Sequence, residues 1–206
     1  MSVAVKERPV LFNGEMVRAI LDGRKTQTRR MVKPQPNWIR PCVGEDGIAH
    51  GYCNSGPTEG LRCPFGQVGD QLWVREAWGL HDTLPKDGPD NATVYYRSTD
   101  GDRHDLRYQK WRPSIHMPRW ASRITLEIIE VCVEQLQDIG SDGRSGKAVL
   151  AEGVKQCYID KFTEWFHPDD CPAMAFRELW QSVYGAESWA ANPWVWVVEF
   201  RKLEAI

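Results

Sequence analysis

The hydrophobic phase of the longest β signal in the chain, residues 120–133, changes part-way along it. Ile124, Leu126 and Ile128 share one parity, whereas Ile129, Val131 and Val133 continue on the other. Successive strand residues point to opposite faces, so an uninterrupted strand cannot keep both sets on one side of a sheet. One extra residue, a β-bulge, restores the phase and bends the strand as it does so. A long bent strand belongs to a sheet that wraps a core, and the expectation is a barrel-like sheet. Residues 194–200, Trp-Val-Trp-Val-Val-Glu-Phe, form a second, strongly apolar strand that is expected to close it.

Shorter elements fit around these two. Residues 1–8 are expected to be a loose leader, 9–13 a short buried strand and 14–22 a helix, with Met16, Val17, Ile20 and Leu21 at helical spacing. Gly23 follows as the residue type that closes a helix in the left-handed conformation. Gly69-Asp70 turns into a strand with Leu72 and Val74 on one face and Trp73 and Arg75 on the other, and residues 93–97 suggest another. Ala148, Val149, Ala151, Glu152 and Gly153 suggest a short helix ending at the glycine. Residues 172–184 form an amphipathic helix with Phe176, Leu179, Trp180, Val183 and Tyr184 on one stripe and Gly185 as its stop. Residues 33–69 are rich in proline and glycine and lack sustained periodicity. They read as a long connection, as do 79–91 and a basic, aromatic loop over 103–118.

Length and charge narrow the function. The 206 residues fit one α+β domain with insertions, and a formal net charge of −2 leaves no global basic field for coating a long polyanion. A local patch such as Arg24, Lys25, Arg29 and Arg30 remains able to grip one phosphate or one strand. Ten tryptophans are more than core filling alone explains, so some are expected to line a pocket where flat groups stack. No run of apolar residues is long enough to span a membrane, and the start lacks the apolar core of a secretion signal. The expectation is a soluble, cytoplasmic protein with no membrane partner and with its six cysteines as thiols.

The chemistry is concentrated in Asp22-Gly23-Arg24-Lys25-Thr26-Gln27-Thr28-Arg29-Arg30, between the expected helix end and a strand in which Thr26, Thr28, Arg30 and Val32 alternate with Gln27, Arg29 and Met31. Burial beside Arg29 or Arg30 would lower the pKa of Lys25 by desolvation and like-charge repulsion. A neutral Lys25 beside Thr28 is a hydroxyl with an amine base, a nucleophile design. The plain alternative is a surface turn whose cations are solvated.

This stretch resembles the signature of the ASCH superfamily, Gly-x-Lys-x-x-Glu-x-Arg. Gly23, Lys25 and Arg30 meet three of its four fixed positions, and Thr28 stands where the pattern has glutamate. The threonine is what the small bacterial N(4)-acetylcytidine amidohydrolases of this superfamily have, in a Gly-Arg-Lys-Thr-x-Thr-x-Arg run reproduced here. Gly69-Asp70, Ala151-Glu152-Gly153 and residues 196–200 follow in the same order. The resemblance implies a single PUA-like β-barrel over residues 9–204, with helices packed against it. Its insertions at about 33–68 and 77–119 are similar to those of the longer phage and prophage members. It also implies amide hydrolysis of N(4)-acylated cytidine or cytosine, with Lys25 as base, Thr28 as nucleophile and Glu152 as acid. Glu76 beside Arg75 competes for that last role. Arg30 or a backbone N–H would meet the oxyanion, and no metal or organic cofactor is needed.

Asn13, Thr26 and Arg30 are the further substrate-binding candidates, together with His116 and Trp120. In the 114–120 cluster a base can stack on Trp120 while His116 or Arg119 meets a ribose or carbonyl; a core tryptophan with a surface histidine explains the same residues. Cys42, His50, Cys53 and Cys63 lack a CxxC pair, so free thiols compete with a zinc site there. The expected partner is a modified nucleoside or base, with RNA as a second possibility. The rival functions are an RNA- or DNA-binding ASCH module and a ribonuclease on the same barrel.

Overall fold

Burial along β9 (Thr125–Gln135) alternates as far as Ile128, lapses at Ile129 and Glu130, and resumes at Val131 and Val133. In the antiparallel ladder with β10 (Trp194–Lys202), Glu199 faces Glu130 but Phe200 faces Ile128, which leaves Ile129 as the extra residue of a bulge. The phase switch in the sequence is therefore a register shift in the sheet. The strand starts at Thr125, later than its apolar pattern, because Arg119–Ala121 forms a 3-10 turn after Pro118.

The computed structural model describes residues 5–43, 48–53, 56–80, 92–103, 105, 110–139, 145–160 and 171–204, with backbone alone at 38–43, 48–53, 56–59, 145, 157 and 158. Its main sheet has five strands in the order β1 (Glu7–Leu11), β6 (Gln71–Arg75), β9, β10 and β2 (Gln27–Met31). The β1–β6 pair is parallel and the other three pairs are antiparallel. The fold is α+β on a mixed sheet. Strand β10 does not close it: β10 lies between β9 and β2, and among the described residues no ladder joins β1 to β2. Those two edges are bridged instead by the helix between them, α1 (Gly14–Leu21), and by Arg30, whose Nη2 donates to the Leu11 carbonyl at 2.7 Å.

Both faces of this sheet are covered. Val10, Leu72, Val74, Leu126, Ile128, Val131, Val133, Trp196, Val198 and Phe200 pack on one face with Phe12 and with Val17 and Ile20 of α1. Val195 and Val197 point the other way. They pack with Val149 of α3 (Ser145–Ala151) and with Phe176 and Trp180 of α5 (Cys171–Tyr184). A strand buried on both sides needs apolar residues at both parities, which explains the unbroken run in β10. On α5, Val183 leaves the expected stripe and is 43% exposed.

Two further expectations are corrected. Strand β1 begins at Glu7, inside the supposed leader, because its parallel ladder to β6 starts at the Glu7–Gln71 pair. The 33–69 connection contains a three-stranded antiparallel sheet of β3 (Trp38–Val43), β4 (Ile48–Cys53) and β5 (Gly56–Arg62). Both its ladders shift register, and Pro41, Gly51, Pro57 and Gly60 interrupt the alternation that would have marked it. Strands β7 (Trp78–Leu80) and β8 (Val94–Tyr96) make a short antiparallel pair, followed by α2 (Arg97–Asp100). Residues 81–91, with Arg107 and Tyr108, lie outside the described residues. No helix among the described residues is long and apolar enough to cross a membrane.

Asn13 starts α1 by accepting the Met16 N–H at 2.8 Å, and Gly23 ends it at φ 72° with its N–H on the Ile20 carbonyl at 3.0 Å. Gly153, at φ 90°, lets the segment after α3 pass close to this junction. A β-carbon there would sit 3.1 Å from Ala19 Cβ and 3.2 Å from Lys25 Cβ. Gly153→Ala is accordingly expected to lower the unfolding free energy by about 1–3 kcal/mol in a urea titration, combining a left-handed backbone with two tight contacts.

Candidate active site

After α1 the chain turns sharply. The Ala19 carbonyl accepts both the Arg24 N–H at 2.8 Å and the Lys25 N–H at 2.9 Å. Lys25 then forms an isolated antiparallel bridge with Glu152, and the Thr26 N–H donates to the Ala151 carbonyl at 2.9 Å. Residues far apart in sequence are thereby zipped backbone to backbone, and their side chains meet inside. Lys25 Nζ donates to the Gln27 carbonyl at 2.8 Å, the Glu152 carbonyl at 2.8 Å and Glu152 Oε2 at 2.9 Å. These three acceptors use all three ammonium protons. Lys25 is 2% exposed and Glu152 5%.

The other Glu152 oxygen, Oε1, accepts from Arg29 Nη1 at 2.9 Å, and Arg29 Nε donates to Glu134 Oε1 at 2.7 Å. Lys25, Glu152, Arg29 and Glu134 thus form a row of alternating charge, neutral in total, at the edge strand β2. Burial is the strongest influence on Lys25 and lowers its pKa; Arg30 and Arg29 push the same way, while Glu152 opposes them. Burial works against the Arg29 charge, but Glu152 and Glu134 outweigh it and raise that pKa. Burial raises the Glu134 pKa in spite of Arg29.

Thr28 faces Val198 across the β2–β10 ladder and is 3% exposed. With Met16, Arg30, Glu152, Phe176 and Tyr184 it lines a small cavity between β2, α1 and α5. A wider cleft of about 440 Å³ lies between α1, the 152–155 turn and α5, and Glu152 lines both spaces. Glu152 therefore contacts Lys25 directly and shares the small cavity with Thr28.

The remaining candidates are distributed around and away from this point. Arg30 lines the Thr28 cavity and lies over the Phe12 ring at 5.4 Å. Asn13 lines the wide cleft with its side-chain oxygen held by the α1 cap. Thr26 is partly buried, and its carbonyl accepts the Phe200 N–H at 2.8 Å. His116 and Trp120 are not brought to the cluster. Both are exposed, Trp120 stands edge-on to Trp78 at 5.8 Å, and neither lines the spaces around Glu152.

Glu76 is buried but belongs to a different group. Arg123 holds it at 3.0 and 3.2 Å, the Ser98 hydroxyl donates to it, and it lines another cleft with Arg18 and Arg97. The side chains of Cys42, His50 and Cys53 lie outside the described residues, whereas Cys63 is buried and burial pushes its thiol up to about 11. Among the described residues no group of histidine, cysteine and carboxylate side chains is arranged to hold a metal.

Sequence reasoning cast Arg29 only as a neighbouring cation and passed over Glu134. A usable signal was present: Arg29 shares a face of β2 with Gln27, whose Nε2 donates to the Ala148 carbonyl at 3.0 Å, and a cation on that covered face requires a carboxylate. Comparison with protein families, curated proteins and solved structures finds no match for this chain.

Removing the shared carboxylate leaves two buried cations without their common partner. Glu152→Gln is expected to cost about 3–5 kcal/mol by chemical denaturation. Asp22→Asn, which breaks only the exposed pair with Arg24 at 2.9 Å, is expected to change stability by less than about 1 kcal/mol.

Proposed function

We propose that the chain is an amidohydrolase of the ASCH, PUA-like kind, cleaving the acyl amide of N(4)-acylated cytidine or cytosine to the free base or nucleoside and a carboxylic acid. The observation that carries it is the Lys25 Nζ to Glu152 Oε2 contact of 2.9 Å, buried beside the Thr28 cavity. Moving that one proton from nitrogen to oxygen turns an ammonium and a carboxylate into an amine and a carboxylic acid. Both reagents of an amide hydrolysis arise from a single transfer, and the desolvation that lowers the Lys25 pKa favours it. The fold-family part of the proposal is supported by the bulged β9, the helix linking β1 to β2, and the motif at the helix–strand junction.

The reaction proceeds in two stages. As the protonated Glu152 turns toward the substrate, the Lys25 lone pair is freed to take the Thr28 hydroxyl proton. Thr28 Oγ1 bonds to the acyl carbon, and Arg30 or a backbone N–H meets the oxyanion. Collapse breaks the C–N bond, Glu152 gives its proton to the departing exocyclic amine, and an acyl-threonine ester remains. Lys25 then returns its proton to the Glu152 carboxylate and takes one from water, which attacks that ester. As the Thr28 ester bond breaks, Glu152 protonates Thr28 Oγ1, the acid leaves and the ammonium–carboxylate pair is regenerated. All these steps use side chains named above.

One observation favours a second reading, a nucleic-acid-binding module of the same fold. All three Lys25 protons already sit on fixed acceptors, as in a lysine whose work is structural.

Incubation with N(4)-acetylcytidine separates the two. Cytidine release is expected, with Thr28→Ala and Lys25→Ala each losing roughly 10²–10⁴-fold in kcat. Because the active pair holds one shared proton, kcat/KM is expected to fall on the alkaline side as Lys25 loses it. That limb lies below the ordinary lysine range, in keeping with the lowered pKa. Turnover that is indifferent to both substitutions would sink the mechanism.

A further inference from the structure

Beyond the Tyr184 side of the Thr28 cavity lies a second groove of about 440 Å³ that the proposed chemistry does not use. Arg30, Lys33 and Arg62 contribute three cations to its lining, and among the described residues no carboxylate lines it. Among the described residues none of these three pairs with an acid. Arg30 is also incompletely satisfied. Its Nη1 and Nη2 reach the Tyr184 hydroxyl at 3.4 Å and the Leu11 carbonyl at 2.7 Å, but its buried Nε has no partner among the described residues.

The walls are flat and apolar where the cations leave room. Phe65 and Tyr184 are partly buried there, and Leu61, Pro64 and Trp196 add to the lining. The loop carrying Lys33 is pinned. Gln35 Nε2 donates to the Val32 carbonyl at 2.7 Å and to the Trp194 carbonyl at 3.0 Å, and its Oε1 accepts the Trp194 N–H at 2.8 Å. Three cations without an acid partner among the described residues, interleaved with aromatic faces, match a phosphate-bearing chain carrying flat bases. Arg30 and Tyr184 line this groove and the Thr28 cavity alike, so the two spaces share a wall.

We infer that the groove is a phosphate site, occupied by a nucleotide or a single strand whose base stacks on the aromatic wall of the groove. The site rests on the groove itself; only the choice of cytosine as that base rests on the amidohydrolase reading. If both hold, the substrate carries phosphate, and the bare nucleoside fills only part of the available surface.

Calorimetric titration of the full chain with cytidine, cytidine 5′-monophosphate and a short oligocytidylate tests this. At low salt the monophosphate is expected to bind ~10-fold or more tightly than cytidine. The oligonucleotide is expected to lose affinity with salt at a log–log slope of about −2, or about −0.7 for each of three neutralised phosphates. In the double variant Lys33→Ala/Arg62→Ala, two exposed positions, the phosphate advantage is expected to shrink and the slope to fall toward about −0.7. A strand that binds more tightly than the monophosphate assigns the groove to a polynucleotide, and equal affinities assign it to a single nucleotide. A phosphate group that adds nothing, or an advantage that survives the double variant, overturns the proposal. Phosphate-dependent binding without hydrolysis of N(4)-acetylcytidine would remove the amidohydrolase reading and leave the groove standing.

Discussion

The carboxylate of Glu152, gripped on one oxygen by Lys25 and on the other by Arg29, is the contact on which the surrounding structure depends. The end of α1, the edge strand β2, the end of α3 and, through Glu134, the far end of β9 all meet at it. An edge strand carrying a buried arginine, with a buried lysine just before it, is untenable without matching negative charge, since an unpaired ion loses its hydration and gains nothing. The apolar cores on the two faces of the sheet give the chain its bulk cohesion, whereas the charge row fixes how β2 sits against the helices.

That arrangement ties stability and chemistry to the same atoms. The proton between Lys25 and Glu152 is the one the proposed hydrolysis moves, while Arg29 and Glu134 hold the carboxylate in place. Sites of this kind are both rigid and sensitive, because a change that frees a reagent also strands a charge. The wide cleft along Glu152 and the basic groove beyond Tyr184 flank the point where those reagents lie.

Much of the framework was legible in the sequence because it is written locally. The bulge at Ile129, the α1 boundaries at Asn13 and Gly23, and the α5 stop at Gly185 each follow from a few adjacent residues. The three-stranded sheet of β3 to β5 was not legible: its prolines, glycines and register shifts erase the alternation that announces a strand. The position of β10 inside the sheet depends on pairing across the whole chain, which no local pattern records. The same division holds at the site. Lys25 and Thr28 lie in one short stretch, and the structure joins Glu152 to Lys25 across a single bridge. The involvement of Glu134 follows only from the register of β9 on β10. His116 and Trp120 sat in a suggestive cluster but belong to a segment packed on Trp78, and neither lines the spaces around Glu152.

The bulge at Ile129 has an electrostatic consequence as well as a geometric one. Before it, even-numbered residues of β9 such as Leu126 and Ile128 face the inner core; after it, odd-numbered residues such as Val131 and Val133 do. Glu134, even-numbered, is thereby turned outward to Arg29. Had the strand run without its extra residue, parity would have carried this carboxylate into hydrocarbon and offered Arg29 a valine. One residue of surplus backbone thus acts as a frame shift between the two halves of the strand, and it decides which side of the sheet is allowed to hold charge.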